Sequence, residues 1–362
     1  MNYAAVSSHT ITQAINSNHS LNWRLLDFFS NHFSVSAKGR IMTALAPTLE
    51  REAIGPNLLG QFEDMLMAVV QHPAMLIYLN NQKSFGPDSR LGRKGRGLNE
   101  NLAREIMELH TLGVDGGYSQ HDVTELAKGI TGWSVARPTN TEQAGFKFRR
   151  AGHQPGSRLL LGKSYRQQGI KQGEAMLRDL ANHPATARFV CTKIVDHFIS
   201  DAPLPSLVNK LVSTWQATQG NIKAVITTLI NAEESWNIAV KKFKTPRELV
   251  ISTFRALGSS NLKQRQLYYA MFSLGQQPFQ AGSPAGYSDK QQDWDGGSAL
   301  IARIDWTSML SSRVKSSTNA IAVLKSSLGD SVSQHSYQMI TRAESQQQAL
   351  TLLLMSPEFQ RR

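Results

Sequence analysis

Glu105 and Glu108, three residues apart in the segment Leu98 to Trp133, are the carboxylates whose spacing most suggests chemistry. On a helical wheel of about 100° per residue, Leu98, Leu102, Ile106, Leu109 and Leu112 form one apolar arc, and Glu105 falls inside it. A carboxylate on a buried face is costly unless it is paired, hydrogen-bonded, metal-bound or protonated. Three readings follow. In the first, Glu105 and Glu108 join Asn101 and Arg104, with Asn99 and Asp115 nearby in the chain, in a buried polar lock between helices. In the second they are an acid/base pair whose proton affinities are pushed apart, with His32, His110 and His153 as candidate catalytic partners from other elements. In the third they join a histidine around a divalent cation. That ranks last, because Glu108 and His110 are two apart rather than three, and His110 points about 140° away from Glu105 on the wheel.

Helices must position these residues. Apolar residues recur at three- and four-residue steps over Leu21 to Phe33 and Leu58 to Val70, and Pro73 opens another short helix. The segment carrying Glu105 stops at Gly113 and the Asp115-Gly116-Gly117 turn, after which Ser119 caps the next helix with Asp122 three residues on. Phe146-Lys147-Phe148 and Arg158-Leu159-Leu160-Leu161 predict a hairpin between Gly145 and Gly162. Helical patterns then resume from Gly169 and run to Met355, broken by a loop from Gly275 to Gly297 that Tyr287 and Trp294 would pin to the body. His72-Pro73-Ala74 and His183-Pro184-Ala185 recur at two helix starts. The expected fold is mainly α, a multi-helical bundle-like array with one short β-hairpin near residues 145–162. It forms one unit or two helical subdomains, 1–135 and 163–362, joined by a basic hairpin/loop segment 136–162.

The 362 residues include 39 Lys+Arg against 27 Asp+Glu, a formal charge of +12. Most of that excess sits in two stretches: five basic against two acidic residues over 81–100, and nine against two over 137–178. Such clusters suit an anionic ligand or polymer, but no nucleic-acid-binding motif accompanies them. A single cysteine, Cys191, excludes an internal disulfide framework. No apolar run approaches the roughly 18 residues of a membrane span, and the first thirty residues carry no export signal. Serine-hydrolase, phosphate-loop and dinucleotide fingerprints are absent, so no motif indicates a cofactor.

LNENLAREIMELHTLGVDGGYSQHDVTELAKGITGW, from Leu98 to Trp133, resembles the signature of the uncharacterised bacterial family known as domain of unknown function 1800. Further matches follow in family order: Asn31-His32-Phe33, HPAMLIYLNNQKS from His72, Phe146-Lys147-Phe148 before His153, HPATARFVCTKIVDHFISDAPL from His183, Lys244-Thr245-Pro246 and SPEFQRR at the end. The resemblance implies a mostly helical fold and no established activity. It also implies a periplasmic or secreted location and an exported, sulfatase-like partner. Family members usually carry a further helical region before Asn-His-Phe, so the N-terminus looks shortened. They also commonly have His-Asp where this chain has His153-Gln154.

Two functions are expected from these features. The first is a non-catalytic helical binding or scaffold protein acting with the sulfatase-like partner. The alternative is a hydrolase of envelope or extracellular anionic polymer that uses Glu105 and Glu108.

Overall fold

The computed structural model describes residues 7–136, 145–237, 242–259, 262–315 and 318–362; segment 137–144, with Arg137 and Glu142 of the basic stretch, lies outside them. Helices dominate. The first half contains α1 (His9–Asn16), α2 (Ser20–His32), α3 (Gly39–Leu49), α4 (Phe62–Gln71), α5 (Pro73–Tyr78), α6 (Asn101–Glu105) and α7 (Gln120–Gly129). The second half contains α8 (Ile170–Ala181), α9 (Pro184–Phe198), α10 (Pro205–Thr218), α11 (Ile222–Asn231), α12 (Pro246–Ala256), α13 (Gln264–Ser273), α14 (Gly297–Arg313), α15 (Ala320–Leu328), α16 (Gln334–Thr341) and α17 (Gln346–Met355). Among the described residues no helix is long and apolar enough to cross a membrane.

The two strands expected over 145–162 are present, but they do not pair with each other; each pairs with a further strand outside that span, giving two hairpins. β1 (Trp133–Ala136) pairs antiparallel with β2 (Gly145–Phe148), placing Phe148 opposite Trp133, and β3 (Arg158–Leu160) pairs with β4 (Lys163–Tyr165). Leu161 and Gly162 close the second hairpin with φ of 48° and 75°. Positive φ at both central residues matches the twist of a two-residue hairpin turn, which returns the chain before β3 can reach β2.

Local chemistry sets the helix starts. Ser119 and Asp122 form a reciprocal capping box on α7, and Thr245 and Glu248 form another on α12. The repeated His-Pro-Ala motif has one physical cause at both places: Nδ1 of His72 accepts the Ala74 N–H at 3.1 Å, and Nδ1 of His183 accepts the Ala185 N–H at 3.2 Å. Proline follows at the first helical position, where its missing N–H costs nothing.

The largest hydrophobic cluster runs from Leu25 to Ala232 and draws on helices from both sides of the hairpins. Trp133 is fully buried in it, and a Cβ on Gly173 would lie 2.7 Å from the Trp133 ring, so glycine is what lets α8 approach β1. Two smaller clusters draw mainly on the C-terminal helices. One joins α1 to α12, α13 and α14, and the other packs α15, α16 and α17 together.

Candidate functional site

α6 does not continue as an ordinary helix. From Ile106 to His110 it widens into a π-helical turn. Buried positions therefore follow four-residue steps, Leu102, Ile106 and His110 on one line and Ala103, Met107 and Thr111 on the next. This corrects the wheel: the wider turn carries Leu109 off the buried face and brings His110 onto it, while Glu105 and Glu108 remain half-buried at the edge. Burial, and then the Glu108 carboxylate, push the Glu105 carboxyl above its ordinary value, against Arg104. Polar bonds join α6 to α7 through Arg104, with Glu100, Gln120 and Thr124 in place of Asn101, Glu105 and Glu108. Arg104 Nη2 donates to Gln120 Oε1 at 2.7 Å, and Glu100 accepts from Gln120 Nε2 at 2.8 Å and from Thr124 Oγ1 at 2.6 Å. Asn99 Oδ1 caps the Asn101 N–H at 2.9 Å, and Asp115 stands exposed in its turn.

His32 and His110 come together, away from the two glutamates. His32 Nε2 donates to the His110 carbonyl oxygen at 3.1 Å, and the rings lie 6.1 Å apart among Phe33, Phe62 and Phe189. Both histidines are buried. Burial, reinforced by Lys193, pushes His110 down to about 3 and His32 well below its usual value, so both rings are neutral at pH 7. Among the described residues no three His, Cys, Asp or Glu side chains are placed to hold a metal ion.

His153 stands elsewhere, on the wall of a groove of about 740 Å³ between β2 and the start of α8. Its Nδ1 lies 3.0 Å from the Thr131 carbonyl oxygen and must donate, which leaves the lone pair on Nε2. Burial keeps the ring neutral. Arg150, Arg166 and Lys171 line the same groove, and among the described residues none that lines it is acidic. Other described cations of the basic stretch are engaged within the fold: Arg158 pairs with Glu125 at 3.4 Å, Lys163 with Asp179 at 2.6 Å and Arg178 with Glu63 at 3.8 Å, Arg149 donates to the Val135 carbonyl, and Lys147 has a partner as well. The Arg150, Arg166 and Lys171 side chains are exposed and make no hydrogen bond or ion pair among the described residues. Among the described cations of residues 145–178, three thus remain free, and all three line this groove.

A buried ionic network, which sequence reasoning missed, links α2, α12, the 275–297 loop and the C-terminal residues. Asp27 meets Arg247 Nε at 2.7 Å, Glu248 meets Arg362 Nε at 2.5 Å, and His197 Nδ1 meets Asp289 at 2.9 Å. Burial raises the Asp289 carboxyl, but His197, Lys242 and Arg362 outweigh it and hold the group at about 2. Asn31 latches the loop above, donating to the Tyr287 carbonyl at 2.8 Å and accepting the Tyr287 N–H at 2.7 Å. Asp27, Glu50, His197, Arg247 and Asp289 line a cavity of only about 50 Å³ under that loop, room for a water or two. Asp27 itself gives no signal in the sequence, because on α2 it lies opposite the face of Leu25, Leu26, Phe28 and Phe29 and its partner Arg247 is more than two hundred residues away.

A family model described as "Protein of unknown function (DUF1800)" matches residues 1–361. No curated protein and no solved structure matches the chain. The match spans essentially the whole sequence, and the chain belongs to the DUF1800 family of proteins of unknown function.

Proposed function

We propose that the protein is a non-catalytic helical binding protein for an anionic polysaccharide, held in the groove beside His153. The observation that carries this is the set of three exposed, unpaired cations, Arg150, Arg166 and Lys171, in a groove with no acidic lining residue among the described residues. Acidic groups on the polymer offset the cations, and a sugar hydroxyl donates to the free lone pair on His153 Nε2. Hydroxyl donation to a neutral imidazole favours a saccharide over a simple polyanion. Nucleic acid is the less suited polymer, because among the described residues Phe148 is the groove's only aromatic besides His153 and bases need stacking platforms. The exported, sulfatase-like partner implied by the family resemblance belongs to this proposal: the chain presents the polymer and the partner acts on it. Binding of dextran sulfate against uncharged dextran tests it. Saturable binding of the sulfated polymer, with protection of Arg150 and Arg166 from phenylglyoxal, supports the groove, and equal behaviour of the two polymers rejects it.

The alternative, a hydrolase of envelope or extracellular anionic polymer, draws on one observation, the raised Glu105 carboxyl next to Glu108. Turnover by Glu105→Gln equal to that of the native chain on every polymer cleaved removes Glu105 from such chemistry.

A further inference from the structure

A second cavity, of about 200 Å³, opens between α1, α2, α12 and the C-terminal residue and shares no residue with the groove. Four cations line it, Arg24, Lys244, Arg255 and Arg362, against two carboxylates, Asp27 and Glu248. Those carboxylates are already committed. Asp27 is ion-paired to Arg247, which does not line this cavity, and Glu248 Oε1 holds Arg362 Nε at 2.5 Å but lies 3.9 Å from Arg24 Nη2, beyond hydrogen-bond distance.

Apart from that looser Arg24–Glu248 ion pair, the remaining cations rest on neutral partners. Arg255 Nη1 donates to the carbonyls of Ala14, Ile15 and Ser17. Lys244 Nζ donates to the Phe359 carbonyl and sits 4.1 Å from the centre of that ring. Arg24 lies over the Phe198 ring at 5.1 Å, and its Nε and Nη2 have no hydrogen-bond partner. Positive charge therefore exceeds its compensation in a partly enclosed site. Proton affinities agree: burial, then Arg362, brings Arg24 down to about 10, and burial with Arg362, Arg303 and Arg24 brings Lys244 to about 8 despite Glu248. Ala14, Trp23 and Ile251 supply an apolar wall beside the cations.

We propose that this cavity binds a small organic carboxylate, its anionic end held by Arg24 and Lys244 and its apolar tail against Trp23 and Ile251. The cavity volume limits the ligand to a short chain or one ring, and the apolar wall favours such a tail over inorganic phosphate. This inference is independent of the polysaccharide reading and stands or fails without it.

Calorimetry on the full chain tests it with benzoate, benzamide and inorganic phosphate. Benzoate is expected to bind once per chain, with benzamide and phosphate at least about tenfold weaker, since the amide lacks the charge and phosphate lacks the tail. Arg24→Gln is expected to weaken benzoate about tenfold and Arg24→Lys to retain most of the affinity, with circular dichroism and melting temperature reporting that both variants fold. Absence of saturable benzoate binding, equal affinity for benzamide, tighter binding of phosphate, or an Arg24→Gln variant that binds as the native chain does would each overturn the proposal.

Discussion

His153 Nδ1 lies 3.0 Å from the carbonyl oxygen of Thr131, and this contact decides what the imidazole offers the groove. A carbonyl cannot donate, so the proton sits on Nδ1 and the lone pair is on Nε2. Arg150, Arg166 and Lys171 supply charge, whereas His153 supplies an acceptor. The two contributions separate experimentally.

Replacing His153 with alanine removes the acceptor and leaves the charges. Affinity for a sulfated polysaccharide is expected to fall by roughly 3- to 10-fold, the worth of one hydrogen bond of about 0.5–1.5 kcal/mol, with the dependence on salt concentration unchanged. A changed salt dependence would mean that His153 carries charge in the complex.

Acid is expected to destabilise the protein before its carboxylates titrate. His32 and His110 are neutral when folded and protonate near pH 6.5 when unfolded. Below that value the unfolded chain binds more protons, so this stability is complete above about pH 6.5 and is lost as pH falls, by up to ~1.4 kcal/mol per histidine per pH unit. For His110 the window extends to about 3. Asp289 and Glu248, both held at about 2, lose stability in the same direction at lower pH, whereas the raised Asp27 and Glu50 oppose it. Urea midpoints between pH 8 and pH 5 check this. The midpoint should fall with pH, and His110→Leu should flatten the dependence.

Arg247→Met leaves Asp27 partly buried without its 2.7 Å partner. Breaking one side of a buried pair costs about 3–5 kcal/mol, while replacing both partners is far less damaging. The single variant should therefore unfold at markedly lower urea than the native chain, and adding Asp27→Asn should recover part of the loss. No recovery would show that Arg247 acts through other contacts, such as the one from its Nη2 to Thr10 Oγ1 at 3.4 Å.

Helix content, the Ser119 cap and the histidine helix starts were legible because each depends on residues within four positions of one another. The phase of α6 was not. A π turn changes the angular step per residue, and nothing in Ile106 to His110 marks it, so Glu105 was placed on the buried face and His110 off it. The basic stretch was visible as composition, but which of its cations remain free depends on partners as distant as Glu63 for Arg178. Asp27, Arg247, Glu248 and Arg362 were beyond sequence reasoning for the same reason, since their pairing joins positions more than a hundred residues apart.

The central claim is that three cations of one groove hold a polyanion. Dextran sulfate affinity measured across salt concentrations for the native chain and for the Arg150→Ala, Arg166→Ala, Lys171→Ala triple variant tests it most directly. Each lost contact releases fewer counterions, so the variant is predicted to bind at least about tenfold more weakly and with a shallower salt slope. Native affinity with an unchanged slope would contradict the account and place the polymer elsewhere on the protein.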